Sequence, residues 1–128
     1  MERAVAEQWK DDRPIYLQLK DRILTMIMDG VIEEGAALPS VRKVAVEYQI
    51  NPITASKAYA ELVGEGLVEK RRGLGMFILE GSRKKLLATE QKSFLNVEWP
   101  IIIEQIARLG LDVSELLKSS QQNNKKQD

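Results

Sequence analysis

Apolar residues recur at steps of three and four early in the chain. Tyr16, Leu19, Ile23, Met26 and Ile27 form one such stripe, which predicts an amphipathic helix. Pro14 suits its first helical position, Asp12 stands where a cap would accept from a free N–H, and Gly30 closes it. A polar turn, Glu33-Glu34-Gly35, then leads to Leu38-Pro39-Ser40. Ser40 is the expected cap of a second, short helix with Val41, Val44, Ala45 and Tyr48 inward. Gln49 and Ile50 make the turn. Asn51 as cap and Pro52 as first helical residue begin a third helix, whose inward stripe is Ala55, Ala58, Tyr59, Leu62 and Val63. Gly64 or Gly66 ends it.

Beyond this point the period changes. Leu67 to Lys70 and Met76 to Leu79 read as two short strands, joined by Arg71-Arg72-Gly73-Leu74-Gly75. The glycines permit the positive φ that a tight connection needs. Helix, helix, turn, helix and hairpin is the order of a winged helix-turn-helix. The expected fold is mainly α with a small β-hairpin wing, followed by C-terminal helices.

Ser82 is placed to cap a further helix. Leu95, Trp99, Ile102, Ile106 and Leu109 follow in a heptad-like seam, the expected dimer interface, since one small winged helix cannot cover that much apolar surface. Pro100 removes a backbone donor, so a kink is expected near Asn96 to Pro100, with a fresh helix start at Pro100 as the alternative. Gly110 stops the helix, and Asp112 with Glu115 opens a last short one through Lys118. The polar residues after it are expected to be disordered. These readings divide the chain into an N-terminal arm (1–13), a winged helix-turn-helix (14–80), a helical dimerisation region (81–118) and a polar tail (119–128).

Composition narrows the function by what is missing. Among 128 residues there is no cysteine and no histidine. This removes thiolate nucleophiles, cysteine zinc sites and the commonest general base and metal ligand. No constellation of carboxylates or lysines suggests catalysis, so an enzyme is not expected, nor any cofactor or metal. No apolar run approaches the ~18 residues of a membrane span, and the first residues lack the apolar segment of a signal peptide. A soluble cytoplasmic protein with no membrane partner is the expectation.

Net charge is zero, but its distribution is uneven. Residues 1–37 hold five basic and eight acidic side chains, and residues 38–79 hold six basic and four acidic. Nucleic-acid binding, if present, belongs to that middle stretch. The second helix of a helix-turn-helix enters the major groove with its N-terminal residues at the base edges. Here that leaves Asn51, Ile53, Thr54, Ser56 and Lys57 on or near the outer face, with Ile53 suited to a thymine methyl and Lys57 to a phosphate. The same residues would also serve as an ordinary exposed helix face. Arg42 is more telling, because an electropositive helix start gives an arginine no structural reward. Lys43 beside it reads equally well as a solvated charge. Ser40 can serve as cap alone or also donate to DNA. Lys70, Arg71 and Arg72, with Gly73 and Gly75, gather charge at a hairpin tip where a wing meets the minor groove. A winged helix that has turned to protein interaction is the competing reading, which these cations oppose.

Pro14-Ile15-Tyr16-Leu17-Gln18-Leu19, Leu38-Pro39-Ser40-Val41-Arg42, Glu65-Gly66-Leu67-Val68 and Arg72-Gly73-Leu74-Gly75-Met76-Phe77-Ile78 together resemble the signature of the GntR family of bacterial transcription regulators. Asn51-Pro52-Ile53-Thr54 and the short helical tail are similar to its YtrA-type subgroup. The resemblance implies a repressor-like homodimer on double-stranded, palindromic operator DNA. It places DNA contacts at Arg42, at Asn51, Ile53, Thr54 and Ser56, and at the wing-tip Gly73. Many relatives carry arginine where this chain has Pro52 and Ser56, which implies a different base preference and more weight on Arg72 or Lys57. A small-molecule effector, if there is one, is expected between the winged helix and the C-terminal helices.

Overall fold

The computed structural model describes residues 9–127. The first eight residues of the expected N-terminal arm, and Asp128 of the expected tail, lie outside the described residues. The chain divides between Leu87 and Ala88 into two compact units.

The first unit holds α1 (Ile15–Met28), α2 (Val41–Tyr48), α3 (Pro52–Gly64) and the hairpin β1 (Val68–Arg71) and β2 (Gly75–Ile78). The start of α4 (Ser82–Ser93) belongs to it as well. Leu19, Ile23 and Ile27 of α1 meet Ala55, Ala58, Tyr59 and Leu62 of α3 in a shared core, closed by Leu67, Val68, Ile78 and Leu86. Ala55 and Ala58 are fully buried; their small side chains let the helices approach closely.

Local signals fix most of the boundaries. Asn51 Oδ1 accepts from the Ile53 amide at 2.8 Å, and Pro52 follows as the first helical residue of α3. Gly30 and Gly66 take positive φ after α1 and α3, where a side chain would be strained. Gln49 does the same after α2 with φ of 53°. The start of α1 differs from expectation. Pro14 is itself the cap residue, with ψ of 143° and no side-chain bond, so Asp12 does not cap. Gln18 secures that end, its amide bonding Lys10 in both directions and the carbonyl of Arg13.

The hairpin is antiparallel, pairing Val68 with Ile78 and Arg71 with Gly75. It gains a third edge that sequence periodicity did not announce. Ala37 bridges Phe77, Leu38 donates to the Met76 carbonyl at 2.8 Å, and Ile78 donates to that of Ala36 at 3.0 Å. Ser82, expected as a cap, is buried inside the first turn of α4, and its hydroxyl donates to the Leu67 carbonyl at 2.7 Å. Arg83 spans to the Met28 carbonyl through Nε, while its amide donates to Glu34. The backbone amides of Arg83 and Gly81 hold the Glu34 carboxyl below its ordinary pKa.

The second unit continues α4 through a π-helical turn (Phe94–Glu98) into α5 (Trp99–Arg108), followed by α6 (Val113–Gln127). Where a kink was expected, near Asn96 to Pro100, the helix makes this π turn. Trp99 N–H bonds Phe94 five residues back, and the wider turn gives the proline ring room where an α-turn would clash. The fresh start at Pro100 does not occur, because Glu98 and Trp99 are already helical. Asp112 caps α6, its carboxylate accepting from Ser114 at 2.8 Å and Glu115 at 3.3 Å. That helix runs on through Gln127, where a disordered polar tail was expected from Ser119. Neither Gly nor Pro interrupts this stretch, and glutamine and lysine are good helix formers.

Candidate nucleic-acid interface

The helix-turn-helix is assembled from α2 and α3, and one hydrogen bond locks its entry. Tyr59 of α3 donates from its hydroxyl to the Pro39 carbonyl at 2.6 Å, across the residue that precedes the α2 cap. Burial of the ring raises the Tyr59 pKa well above the ordinary phenol value, with the charges of Tyr48 and Glu47 adding to it. The group therefore stays a donor. Ser40 Oγ accepts from the Lys43 amide at 3.1 Å, so its lone pair serves the fold while its proton can still be donated to a phosphate.

Arg42 is exposed in the first turn of α2, and its guanidinium forms no hydrogen bond or ion pair with the described residues. On α3, Asn51 spends its oxygen on the cap, and Thr54 is half-buried. Ser56 and Lys57 are exposed, and Ile53 is 76% exposed, unusual for so large an apolar side chain. Lys57 is oriented from outside its own helix: its ammonium lies 4.3 Å from the centre of the Tyr16 ring, a cation–π contact.

The wing divides its two arginines. Arg71 donates through Nε to Glu69 at 2.9 Å and stacks over Phe77 at 4.3 Å, so it stiffens the hairpin. Arg72 is exposed and makes no such bond within the described residues. Gly73 and Gly75 take φ of 78° and 113°, and an added Cβ would meet nothing at either, so the glycines answer to backbone conformation and not to crowding. Leu74 between them is 71% exposed at the tip, a feature sequence reasoning passed over. Its only signal was an apolar residue flanked by glycines, and apolar wedges of this kind enter minor grooves.

In the second unit no residue from Ala88 to Asn123 is buried. Of the seam residues, Leu95, Ile102 and Leu109 are exposed, while Trp99 and Ile106 are half-buried. The ring that Trp99 meets is Phe94, at 6.2 Å between centroids, five residues back because of the π turn.

No helix among the described residues is long and apolar enough to cross a membrane. Residues 15–78 match the profile of bacterial regulatory proteins of the gntR family. The chain is 37% identical to the HTH-type transcriptional regulator YhcF of Bacillus subtilis (strain 168), over 87% of its own length and 90% of the relative. It is 38% identical to the HTH-type transcriptional repressor YtrA of the same organism, over 80% of its own length and 73% of the relative. A GntR family transcriptional regulator from Listeria monocytogenes superposes with a TM-score of 0.73 at 28% identity, covering 89% of this chain and 98% of that one. With its helix-turn-helix, its glycine-tipped wing and these likenesses in hand, the chain belongs to the GntR family: it is a DNA-binding transcription regulator and not an enzyme.

Proposed function

We propose that this regulator is a cytoplasmic repressor that binds a palindromic operator as a homodimer. The observation that carries the DNA reading is the pair of exposed arginines, Arg42 and Arg72, whose guanidinium groups have no partner within the described residues. An arginine at an electropositive helix start costs the fold something and is repaid by an anion outside it. Ile53 and Ser56, at the outer face of α3, are the base-reading candidates, with Lys57 held by Tyr16 toward a phosphate. Thr54, half-buried, and Asn51, engaged as a cap, contribute less.

The homodimer rests on the second unit. A set of helices with exposed Leu95, Ile102 and Leu109 and no buried residue up to Asn123 has its apolar surface still to cover. A second copy of the same seam does so by two-fold symmetry. Two recognition helices then suit half-sites about 34–36 Å apart, or a related spacing. The name of the YtrA relative supports the sign of regulation as repression.

Selection from a random duplex library, followed by a gel-shift titration across salt, tests the proposal. Recovery of an inverted repeat, bound by wild type and weakly by Arg42→Ala, is the expected result. Failure to enrich any sequence would favour a protein-interaction module instead.

A further inference from the structure

Inside the first unit, α1, α2 and the segment 31–39 enclose a cleft of about 490 Å³, within the range of small-molecule sites. Its interior is apolar, formed by residues such as Leu19, Ile23 and Val44. Among the described residues, the only charged side chains in its lining are Glu33 and Glu47, both exposed and neither in an ion pair. We infer that this cleft binds a hydrophobic organic cation, with an apolar body inside and a protonated amine beside Glu33 and Glu47, and that its occupation alters DNA affinity. An anion of the same shape would meet two like charges, and a neutral molecule would gain nothing from them.

The cleft is positioned to regulate because its wall is the junction of the DNA-reading parts. Leu38 and Pro39 belong to that wall. Leu38 donates to Met76 of the wing, and Pro39 accepts from Tyr59 of α3. Ser40, next in sequence, caps the helix that carries Arg42. A molecule pressing on Leu38 and Pro39 acts on the wing and the recognition helix, and through the adjoining Ser40 on the helix of Arg42. This coupling rests on the operator reading above, whereas the binding itself does not.

The test titrates the intact protein calorimetrically with 4-phenylbutylamine, 4-phenylbutanol and 4-phenylbutanoate, one skeleton in three charge states. The amine should bind about tenfold more tightly than the alcohol, and the carboxylate least. In Glu33→Gln/Glu47→Gln the amine should fall to the level of the alcohol. In Ala37→Phe, which enlarges an exposed side chain of the lining, both should be lost. A thermal melt of each variant confirms folding. Absence of amine binding at millimolar concentration overturns the proposal, as does a carboxylate that binds as well as the amine. The same holds if binding survives in folded Ala37→Phe. Titrating the selected duplex with and without saturating amine tests the coupling, and an unchanged affinity overturns that half. If no duplex is ever selected, the operator reading fails while calorimetry still decides the cleft.

Discussion

The hydroxyl of Tyr59 on the recognition helix donates to the carbonyl of Pro39, 20 residues earlier, at 2.6 Å. This bond joins the helix that would read bases to the segment that launches Arg42. Tyr59→Phe keeps the buried ring and leaves the Pro39 carbonyl without its partner. Stability should fall by about 1–2 kcal/mol, read as a lower urea midpoint at unchanged m-value. Affinity for the selected duplex should fall as well, since the Arg42 helix loses its anchor.

The same tyrosine predicts an alkaline limit. Its pKa is raised in the folded state, so the folded protein keeps a proton that the unfolded chain releases above about pH 10. This contribution is whole below the ordinary tyrosine value and is lost progressively above it, as pH rises toward the raised folded value. Denaturant melts from pH 8 to 11 should show wild type losing stability faster than Tyr59→Phe. Parallel curves would mean that the phenol titrates normally.

Arg42→Ala should leave the melting temperature of the protein unchanged or slightly raised, since the cation opposes the helix dipole, and weaken duplex binding by about 1–3 kcal/mol. The exposed guanidinium has no bond to lose among the described residues. An equal affinity for the duplex would remove Arg42 from the interface.

The two wing arginines should part in their behaviour. Arg72→Ala is expected to lower affinity for all DNA and to reduce the salt slope by roughly 0.9, the share of one phosphate contact. Arg71→Ala should instead loosen the hairpin, because Arg71 holds Glu69 and covers Phe77. Hydrogen exchange at the β1 and β2 amides would register it. Identical salt slopes for the two variants would show that the division is unreal.

Ile102→Asp should convert a dimer into a monomer at micromolar concentration, as read by light scattering. Ile102 is only 37% exposed, yet it sits on a unit with nothing buried up to Asn123. A buried charge in a two-fold seam meets its own copy and is penalised twice. A variant that remains dimeric would move the interface off this seam.

The sequence by itself determined whatever depends on neighbours a few residues apart. Ser40, Asn51 and Asp112 were legible as caps, because a cap's partner amide lies two or three positions onward. The stripes of α1 and α3, the glycine turns and the hairpin were legible for the same reason, and the motif residues led to the family. Tertiary structure decided the partners brought from far along the chain. Tyr59 read as one more core residue, Ser82 as a cap and Arg71 as a DNA-contacting cation, until folding placed Pro39 and Leu67 beside the first two and the hairpin set Phe77 under the third. The third edge at residues 36–38 was illegible because three residues carry no period. The π turn follows from where Pro100 falls within a continuing helix, and the helical tail from the lack of any residue to stop it. Local hydrogen bonds leave a signature in residue order, whereas a contact across 15 or 20 residues depends on how the elements between them pack.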